Sequence, residues 1–320
     1  MSVAYKKFKA DAPRDRGALA AELDARVAET ARELAGSYLA LKRTDNTRAG
    51  YLRDLRRFFT WCATNGLTDP LEATEDDIVD YLNSLRGRGG EHASPATRAR
   101  HLATLRGYYS HCRRRRAIHN APTDDLSERV PEQSHTEGLD AQEAQALLRE
   151  AKDAGPYEYA LVNILLFMGL RVSEACTAEL TDMRFHDDSA AVRVKRKGGK
   201  LVDVPMPKVV EDAVRQATKG RESGSLLLAD GEPLDRFTAW EWVSTLAKAV
   251  GITKTISPHS LRHTFATTAL SGDDPSPLHF VQQSMGHASP RTTLRYDRAA
   301  GARERFVGES VAQKILKPGS

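Results

Sequence analysis

Two stretches near the end of the chain decide how the whole sequence is interpreted: HSLRHTF, from His259 to Phe265, and MGHASPRTTLRYDR, from Met285 to Arg298. In the first stretch His259 and Arg262 are three residues apart, so a helix places both side chains on one face. A guanidinium beside an imidazole suits the binding of a phosphodiester and the movement of protons. This helix face is therefore a candidate phosphate site.

The second stretch adds His287 after a glycine, and Tyr296 nine residues further on. By itself a tyrosine at helical spacing is a core aromatic far more often than a catalyst, and a phenol pKa of about 10 makes it a weak nucleophile. Nearby cations favour the phenolate, however, and three arginines surround Tyr296 in the sequence: Arg291, Arg295 and Arg298. The pattern predicts a phenol that attacks phosphorus.

Arg171, in MGLRVSE, follows a stretch predicted to be a buried helix, YALVNILLFMG. An arginine beside a core element is costly unless it meets an anion. A structural pair with Glu174, three residues on, is one explanation. Because Arg262 is also available, we favour a second explanation, in which two guanidiniums bind one phosphate and stabilise its transition state.

The segment AAVRVKRKGGKLVDVPMP predicts two strands joined by a glycine-rich turn. A lysine in such a turn is usually only solvated. Here Lys197 could reach a DNA groove and protonate a leaving oxygen if its neighbours lower its pKa. Lys195 and Lys200 compete with Lys197 for this role.

No metal site or cofactor is expected. HSLRH superficially matches the HExxH zinc helix, but Ser260 stands where that motif needs Glu, so His263 is predicted to be structural. The sequence also lacks an acidic cluster suited to Mg²⁺ and a nucleotide-binding glycine loop. The implied reaction is a metal-free transesterification that conserves bond energy.

The composition is that of a globular protein with about two domains. The 320 residues include 47 Lys and Arg against 43 Asp and Glu, and a net charge of +4 says less than its distribution. The three cysteines are widely spaced and predict reduced thiols. No apolar run is long enough to span a membrane and the start lacks a secretory core, so we expect a cytoplasmic protein at the nucleoid.

The first half of the chain predicts helices with basic faces. From Pro95 to His119 there are seven arginines and no acidic residue, and a second arginine face occurs on the helix that contains Arg53. A charge run is usually a solvated face, but such faces mix both signs, so we favour contact with a DNA backbone. The candidate DNA-binding residues are Thr47, Arg48, Arg53, Arg98, Arg100, Arg106 and Arg113.

These patterns predict a mainly α fold with a small β-sheet (α+β). The expected organisation is a flexible arm at 1–16, a helical DNA-binding domain at 17–119, a linker at 120–139, a catalytic domain at 140–301 and a tail at 302–320. In the tail, four apolar residues are spaced as in an amphipathic helix.

Together these residues resemble the tyrosine recombinase, or phage integrase, family and in particular its Xer-like members. The resemblance is carried by Arg171 in MGLRVSE, Lys197 in KRKGGK, HSLRH, MGHASPRTT and Tyr296 in LRYDR, in matching order and spacing. It covers most of the chain, since NTRAGYLRDLRRF and SPATRARHLATLRGYYSHC look like the family's helical (SAM-like) core-binding domain. Met168 and Met285 stand where many members have Thr and Leu.

The resemblance implies a mechanism. Tyr296 would form a 3′-phosphotyrosyl ester, while Arg171 and Arg262 bind the non-bridging oxygens and His287 hydrogen-bonds the phosphate. His259 would assist proton transfer from the phenol, and Lys197 would protonate the leaving 5′-oxygen. Glu174 would order the site.

The resemblance also implies an assembly. Two domains would form a C-shaped clamp on double-stranded DNA, and four protomers, monomeric or weakly dimeric in solution, would pair two sites. The tail would exchange between neighbours. Two alternatives stay open: a type IB topoisomerase that relaxes DNA without pairing sites, and a catalytically silent DNA-binding regulator.

Overall fold

The structure is a computed structural model that describes residues 15–87, 89–129, 137–186, 189–196, 199–271 and 275–286. The chain divides into two compact units, Met1–Ser134 and His135–Ser320, and each has its own hydrophobic core. The described residues are mainly helical, with small antiparallel sheets in the second unit. This confirms the predicted fold class. The tail predicted at 302–320 lies outside the described residues.

The α-helices of the first unit are α1 (Arg16–Ala21), α2 (Glu29–Ala40), α3 (Asp45–Thr64), α4 (Glu75–Ser84) and α5 (Pro95–Arg114). The sequence predicts one continuous helix over residues 17–41, and this is wrong. Asp24 accepts hydrogen bonds from the backbone N–H of Arg26 at 3.1 Å and from its guanidinium at 2.7 Å. This local turn competes with the helix and separates α1 from α2.

Helix ends in the first unit follow local sequence signals. Thr74 and Asp77 form a capping box at α4, with a 2.8 Å bond from the Thr74 N–H to Asp77 and a 3.2 Å bond in return. Ser94 caps α5, and α3 ends at Asn65-Gly66, where Gly66 has a φ of +81°. The sequence predicts helix starts at Thr74 and Ser94 and a helix end at Asn65-Gly66, and these boundaries are confirmed.

The second unit contains α6 (Ala141–Ala154), α7 (Pro156–Phe167), α8 (Val172–Thr177), β1 (Met183–His186), β2 (Ser189–Lys195), β3 (Leu201–Met206), α9 (Lys208–Thr218), β4 (Leu228–Ala229), β5 (Glu232–Pro233), α10 (Arg236–Ala249), α11 (Pro258–Leu270) and α12 (Leu278–Met285). Helix α7 is buried among α6, α9 and α11, as its apolar sequence predicts. The predicted hairpin is β2–β3, in register from Ala190↔Met206 to Lys195↔Leu201, and β1 extends it.

The described ends of the predicted linker at 120–139 pack against the units that they adjoin. Glu128 accepts a 2.6 Å hydrogen bond from Arg98 of the first unit. The N–H of Leu139 donates to Thr264 Oγ1 of the second unit at 2.8 Å.

All three cysteines are free thiols, as predicted. Burial raises the pKa of Cys62 and Cys176 to about 12 and that of Cys112 to about 11. Within the described residues, no helix has both the length and the apolar character needed to cross a bilayer.

A buried polar network crosses the aromatic core of the first unit. Asp54, which is 2% exposed, accepts a charge-assisted bond from Arg100 and a 3.0 Å bond from Thr104 Oγ1. Arg100 Nη2 lies 3.0 Å from His101 Nε2, and because a guanidinium can only donate, this ring nitrogen is the acceptor. His101 Nδ1–H then donates to Tyr81 Oη at 2.8 Å, so the imidazole is neutral.

Burial lowers the pKa of His101 to about 4; the carboxylate of Asp54 opposes this shift, and Arg100, Arg57 and Arg53 add to it. Between pH 6.5 and pH 4 the unfolded chain therefore binds a proton that the folded chain excludes. Stability is complete above this window and is lost as the pH falls through it. A change from 6.5 to about 4 corresponds to a maximum on the order of 3 kcal/mol.

We predict that His101→Gln removes this component of the pH dependence. The comparison is urea unfolding at pH 7 and pH 4.5, with Trp240 and Trp242 replaced by Phe so that Trp61, which stacks on Phe58, reports on the first unit. His119→Gln, at an exposed position of the same unit, is the matched control and should retain the full pH dependence. Equal pH dependence in both variants would contradict a neutral buried His101.

Candidate active site

Arg171 and Glu174 lie at the start of α8, just after Gly169 turns the chain out of α7 with a φ of +58°. The Glu174 carboxylate, which is buried, accepts from the backbone N–H of Arg171 at 2.9 Å and from its Nη1 at 2.8 Å. The structural pair is thus present. The Arg171 side chain is nevertheless 33% exposed, so part of the guanidinium can reach an external anion.

Arg262 lies on α11 and is only 3% exposed. Its Nη1 donates to the carbonyl oxygen of Gly169, and its Nη2 donates to the carbonyl oxygen of Met285 at 2.5 Å. A buried charge is tolerated only where it is hydrogen-bonded, and these two main-chain oxygens meet part of that need. They also fix the orientation of the guanidinium.

The C-terminal turn of α12 is the meeting point of three arginines. A helix leaves its last four carbonyl oxygens without partners inside the helix, and that end carries partial negative charge. Here Arg196 donates to Gln283 and Ser284, Arg262 donates to Met285, and Arg171 Nη2 donates to Gly286 at 3.2 Å. The two predicted phosphate-binding arginines therefore converge on Met285 and Gly286, the two residues that precede His287.

His259 and His263 are one helical turn apart on α11 but differ in environment. His259 reaches solvent, and the protein around its ring, together with the cations of Arg262 and Arg171, lowers its pKa. His263 is half-buried, and burial followed by the charge on His259 lowers its pKa as well. A Cβ on Gly138 would lie 3.0 Å from His263 Nδ1, so this histidine packs closely, which is consistent with its predicted structural role.

The structure thus brings together four of the residues predicted from sequence: Arg171, Glu174, His259 and Arg262. The other three predicted site residues, Lys197, His287 and Tyr296, lie outside the described residues. Of the competing lysines, Lys195 and Lys200 are exposed at the two sides of the hairpin turn.

Arg48 was predicted to contact DNA, and the structure contradicts this. Its side chain is 1% exposed, and it donates to Asp45 at 2.5 Å and to the carbonyl oxygen of Lys42 at 3.1 Å. The guanidinium folds back toward the N-terminus of its own helix.

Several other candidate DNA-binding arginines are paired inside the first unit. Arg98 pairs with Glu128, Arg100 with Asp54, and Arg113 with Asp124. Arg106 donates to the carbonyl oxygens of Thr123 and Leu126. By contrast Arg53 is exposed, and Thr47 is exposed with its hydroxyl 2.7 Å from that of Thr44.

Arg196 is a site residue that the sequence reasoning missed. In the sequence it is one of several cations around a glycine-rich turn, yet it is 8% exposed and binds the end of α12. Strand periodicity could have found it, because Val192, Val194 and Arg196 alternate on one face and the two valines face the core.

Comparison with known proteins gives the family. A model described as the phage integrase family matches residues 137–303, and one described as the N-terminal SAM-like domain of phage integrase matches residues 37–116. The chain belongs to the phage integrase family. Tyrosine recombinase XerD of Mycobacterium tuberculosis is 32% identical over 274 residues, which cover 78% of this chain and 86% of the relative. XerD of Corynebacterium glutamicum is 30% identical, covering 81% and 90%.

These findings confirm the resemblance seen in the sequence, and the chain is an enzyme of the tyrosine recombinase class. Solved structures agree on the fold. XerH recombinase in a post-cleavage complex with a palindromic difH substrate gives a TM-score of 0.65 at 18% identity and covers 92% of each chain. A lambda integrase dimer on a COC′ core site gives 0.66 at 17% identity, covering 83% of this chain and 77% of the integrase.

We predict that Gly169→Ala destabilises the second unit, because a Cβ there would overlap the ring of Phe265 and φ is positive. Gly251→Ala is the matched control, with a φ of +76° and nothing within 4 Å. Urea unfolding followed by Trp240 and Trp242 should show a loss of about 1–3 kcal/mol for Gly169→Ala beyond the loss for Gly251→Ala. Equal losses would mean that the contact with Phe265 is adjustable.

Proposed function

We propose that this enzyme cuts and rejoins DNA at specific sites through a 3′-phosphotyrosyl intermediate on Tyr296. The observation that supports this is the convergence of Arg171 and Arg262 on the end of α12, directly before His287. Tyr296 is only ten positions after Gly286, so the proposed nucleophile follows closely in the chain.

In this proposal the two guanidiniums bind the non-bridging oxygens of the scissile phosphate. They are held in advance by Glu174, Gly169 and the α12 carbonyls, so little reorganisation accompanies the reaction. Preorganised donors aimed at developing charge are usually the largest contribution to such catalysis. The hydrogen bond of His287 to the phosphate, proposed from the family pattern, adds a further donor.

Proton transfers complete the reaction. The Tyr296 oxygen bonds to phosphorus, the bond to the 5′-oxygen breaks, and the leaving oxygen takes a proton from Lys197. His259 assists the loss of the phenol proton. Because the pKa of His259 is lowered, its imidazole is neutral at neutral pH and can accept that proton. Attack by a 5′-hydroxyl of a second strand reverses these steps, so the proposed reaction needs neither a metal nor ATP.

Recombination also needs two DNA sites, and we propose that four protomers pair them, by analogy with a lambda integrase tetramer bound to a Holliday junction. Because the proposed substrate is DNA, we propose that the protein acts at the nucleoid in the cytoplasm. In the first unit we assign phosphate contacts first to Arg53, Arg114, Arg115 and Arg116, which are exposed and for which the structure records no ion pair. The internally paired arginines contribute less.

A suicide DNA duplex nicked near the cleavage point tests the covalent step. The wild-type enzyme should become attached to DNA through Tyr296, while Tyr296→Phe should bind the same duplex without attachment, as read by denaturing gel and peptide mapping. EDTA should leave attachment unchanged. Attachment that survives Tyr296→Phe, or that EDTA abolishes, would overturn the proposed chemistry.

A two-site plasmid separates recombination from the topoisomerase alternative. Exchange between sites with little relaxation of a plasmid that lacks them supports the recombinase. Efficient relaxation without exchange supports a type IB activity.

We predict that Arg53→Met lowers the salt dependence of DNA binding, whereas Arg48→Met does not. Each phosphate contact adds about 0.9 to the slope of log K against log salt, so the loss of one contact at Arg53 should reduce the slope by about that amount. Arg48 is on the same helix but buried, and the identical substitution there controls for effects on α3. Titrations at several salt concentrations measure both slopes, and equal slopes would remove Arg53 from the interface.

A further inference from the structure

Arg196 ties two chain segments together. Its Nη1 donates to the carbonyl oxygen of Gln283 at 3.0 Å and its Nη2 donates to that of Ser284 at 2.7 Å, with the side chain 8% exposed. The planar guanidinium spans two neighbouring carbonyls of one helical turn, which a single ammonium cannot do. The bond is thus specific for arginine.

The backbone of Arg196 opens the hairpin turn. The β2–β3 pairing ends at Lys195↔Leu201, and the Arg196 N–H then donates to the carbonyl oxygen of Lys200 at 2.8 Å. The N–H of Gly199 donates to the Arg196 carbonyl oxygen at 3.0 Å. Arg196 is therefore the first residue of the turn, directly after β2, and it lies on the same side as the buried Val192 and Val194.

We propose that Arg196 is a positioning residue that fixes the start of the β2–β3 turn to the end of α12. It would thereby fix the backbone position from which Lys197 continues the chain. This rests on the proposed function, in which Lys197 protonates the leaving oxygen. Consecutive Cα atoms are about 3.8 Å apart, so fixing Arg196 limits the distance that the Cα atom of the next residue can move. The carbonyl oxygens that Arg196 binds belong to residues three and two positions before Gly286, whose carbonyl oxygen Arg171 binds.

The buried charge shows that this contact is built into the fold. Burial lowers the pKa of the Arg196 guanidinium, Arg171 adds to this, and Glu174 opposes it. Gly286 has a φ of +60°, and any Cβ there would overlap the Arg196 guanidinium. The glycine that ends α12 thus also makes room for the arginine.

Loss of Arg196 should affect the turn more than the helix. Helix α12 keeps the bonds from Arg262 and Arg171, and it packs through buried Val281 and Met285. The turn loses its two side-chain bonds to α12. The defect should therefore appear in leaving-group protonation, and less in phosphate binding.

The test compares Arg196→Met with Arg193→Met in the full chain. Arg193 is in β2, three residues before Arg196, but pairs outward with Asp203 at 2.7 Å, so it serves as the control. On an ordinary suicide duplex, Arg196→Met should attach to DNA roughly ten- to a hundredfold more slowly than wild type, and Arg193→Met should match wild type. A 5′-bridging phosphorothiolate, whose sulfur leaves without protonation, should restore most of the rate of Arg196→Met.

Arg196→Lys, which retains charge but cannot span both carbonyls, should be intermediate and should also be rescued. Thermal unfolding and DNA titration identify the variants that are folded. A normal rate on the ordinary duplex, or an equal deficit on both duplexes in a folded variant, would overturn the positioning role. If the wild-type enzyme itself fails to attach to DNA, the proposed function fails. That outcome differs from one in which the wild-type enzyme attaches and Arg196→Met attaches at the same rate, which overturns only the positioning role.

Discussion

The carbonyl oxygens at the end of α12 are the constraint on which the site of the second unit depends. A helix end inside a protein needs donors, and here the donors are guanidiniums from three separate elements. Arg171 comes from the start of α8, Arg196 from the residue directly after β2, and Arg262 from α11. Satisfying one helix end therefore assembles the elements that the proposed chemistry needs, and each buried charge is matched by main-chain oxygen.

In the first unit a buried charge is compensated by side chains. Asp54 is buried and would be costly alone, but Arg100, Thr104 and a neutral His101 complete its surroundings. Arginines on the helix faces are similarly matched by carboxylates and carbonyls within the unit. A sequence that appears uniformly basic over α5 thus presents a smaller set of unpaired charges.

Local signals in the sequence predicted much of this fold. The caps at Thr74 and Ser94, the buried helix α7 and the β2–β3 hairpin all follow from short-range chemistry. The pairing of arginines was not predictable in the same way, because partners such as Asp54 and Arg100 are 46 residues apart. The order and spacing of the motifs along the chain identified Arg171, His259 and Arg262, because these residues belong to one proposed phosphate site.

Arg196 shows where such reasoning stops, because its partners are backbone atoms that any residue type supplies. Alanine scanning across Gln283 and Ser284 would leave both carbonyl oxygens in place and would miss the anchor entirely. For the same reason these two positions are free to drift in sequence without disturbing it, while Gly286 is not, since it needs a positive φ and room beside the guanidinium. Structural support of this kind depends on the path of the main chain. One side of the contact is the Arg196 side chain, and the other side is backbone oxygen that the sequence does not mark.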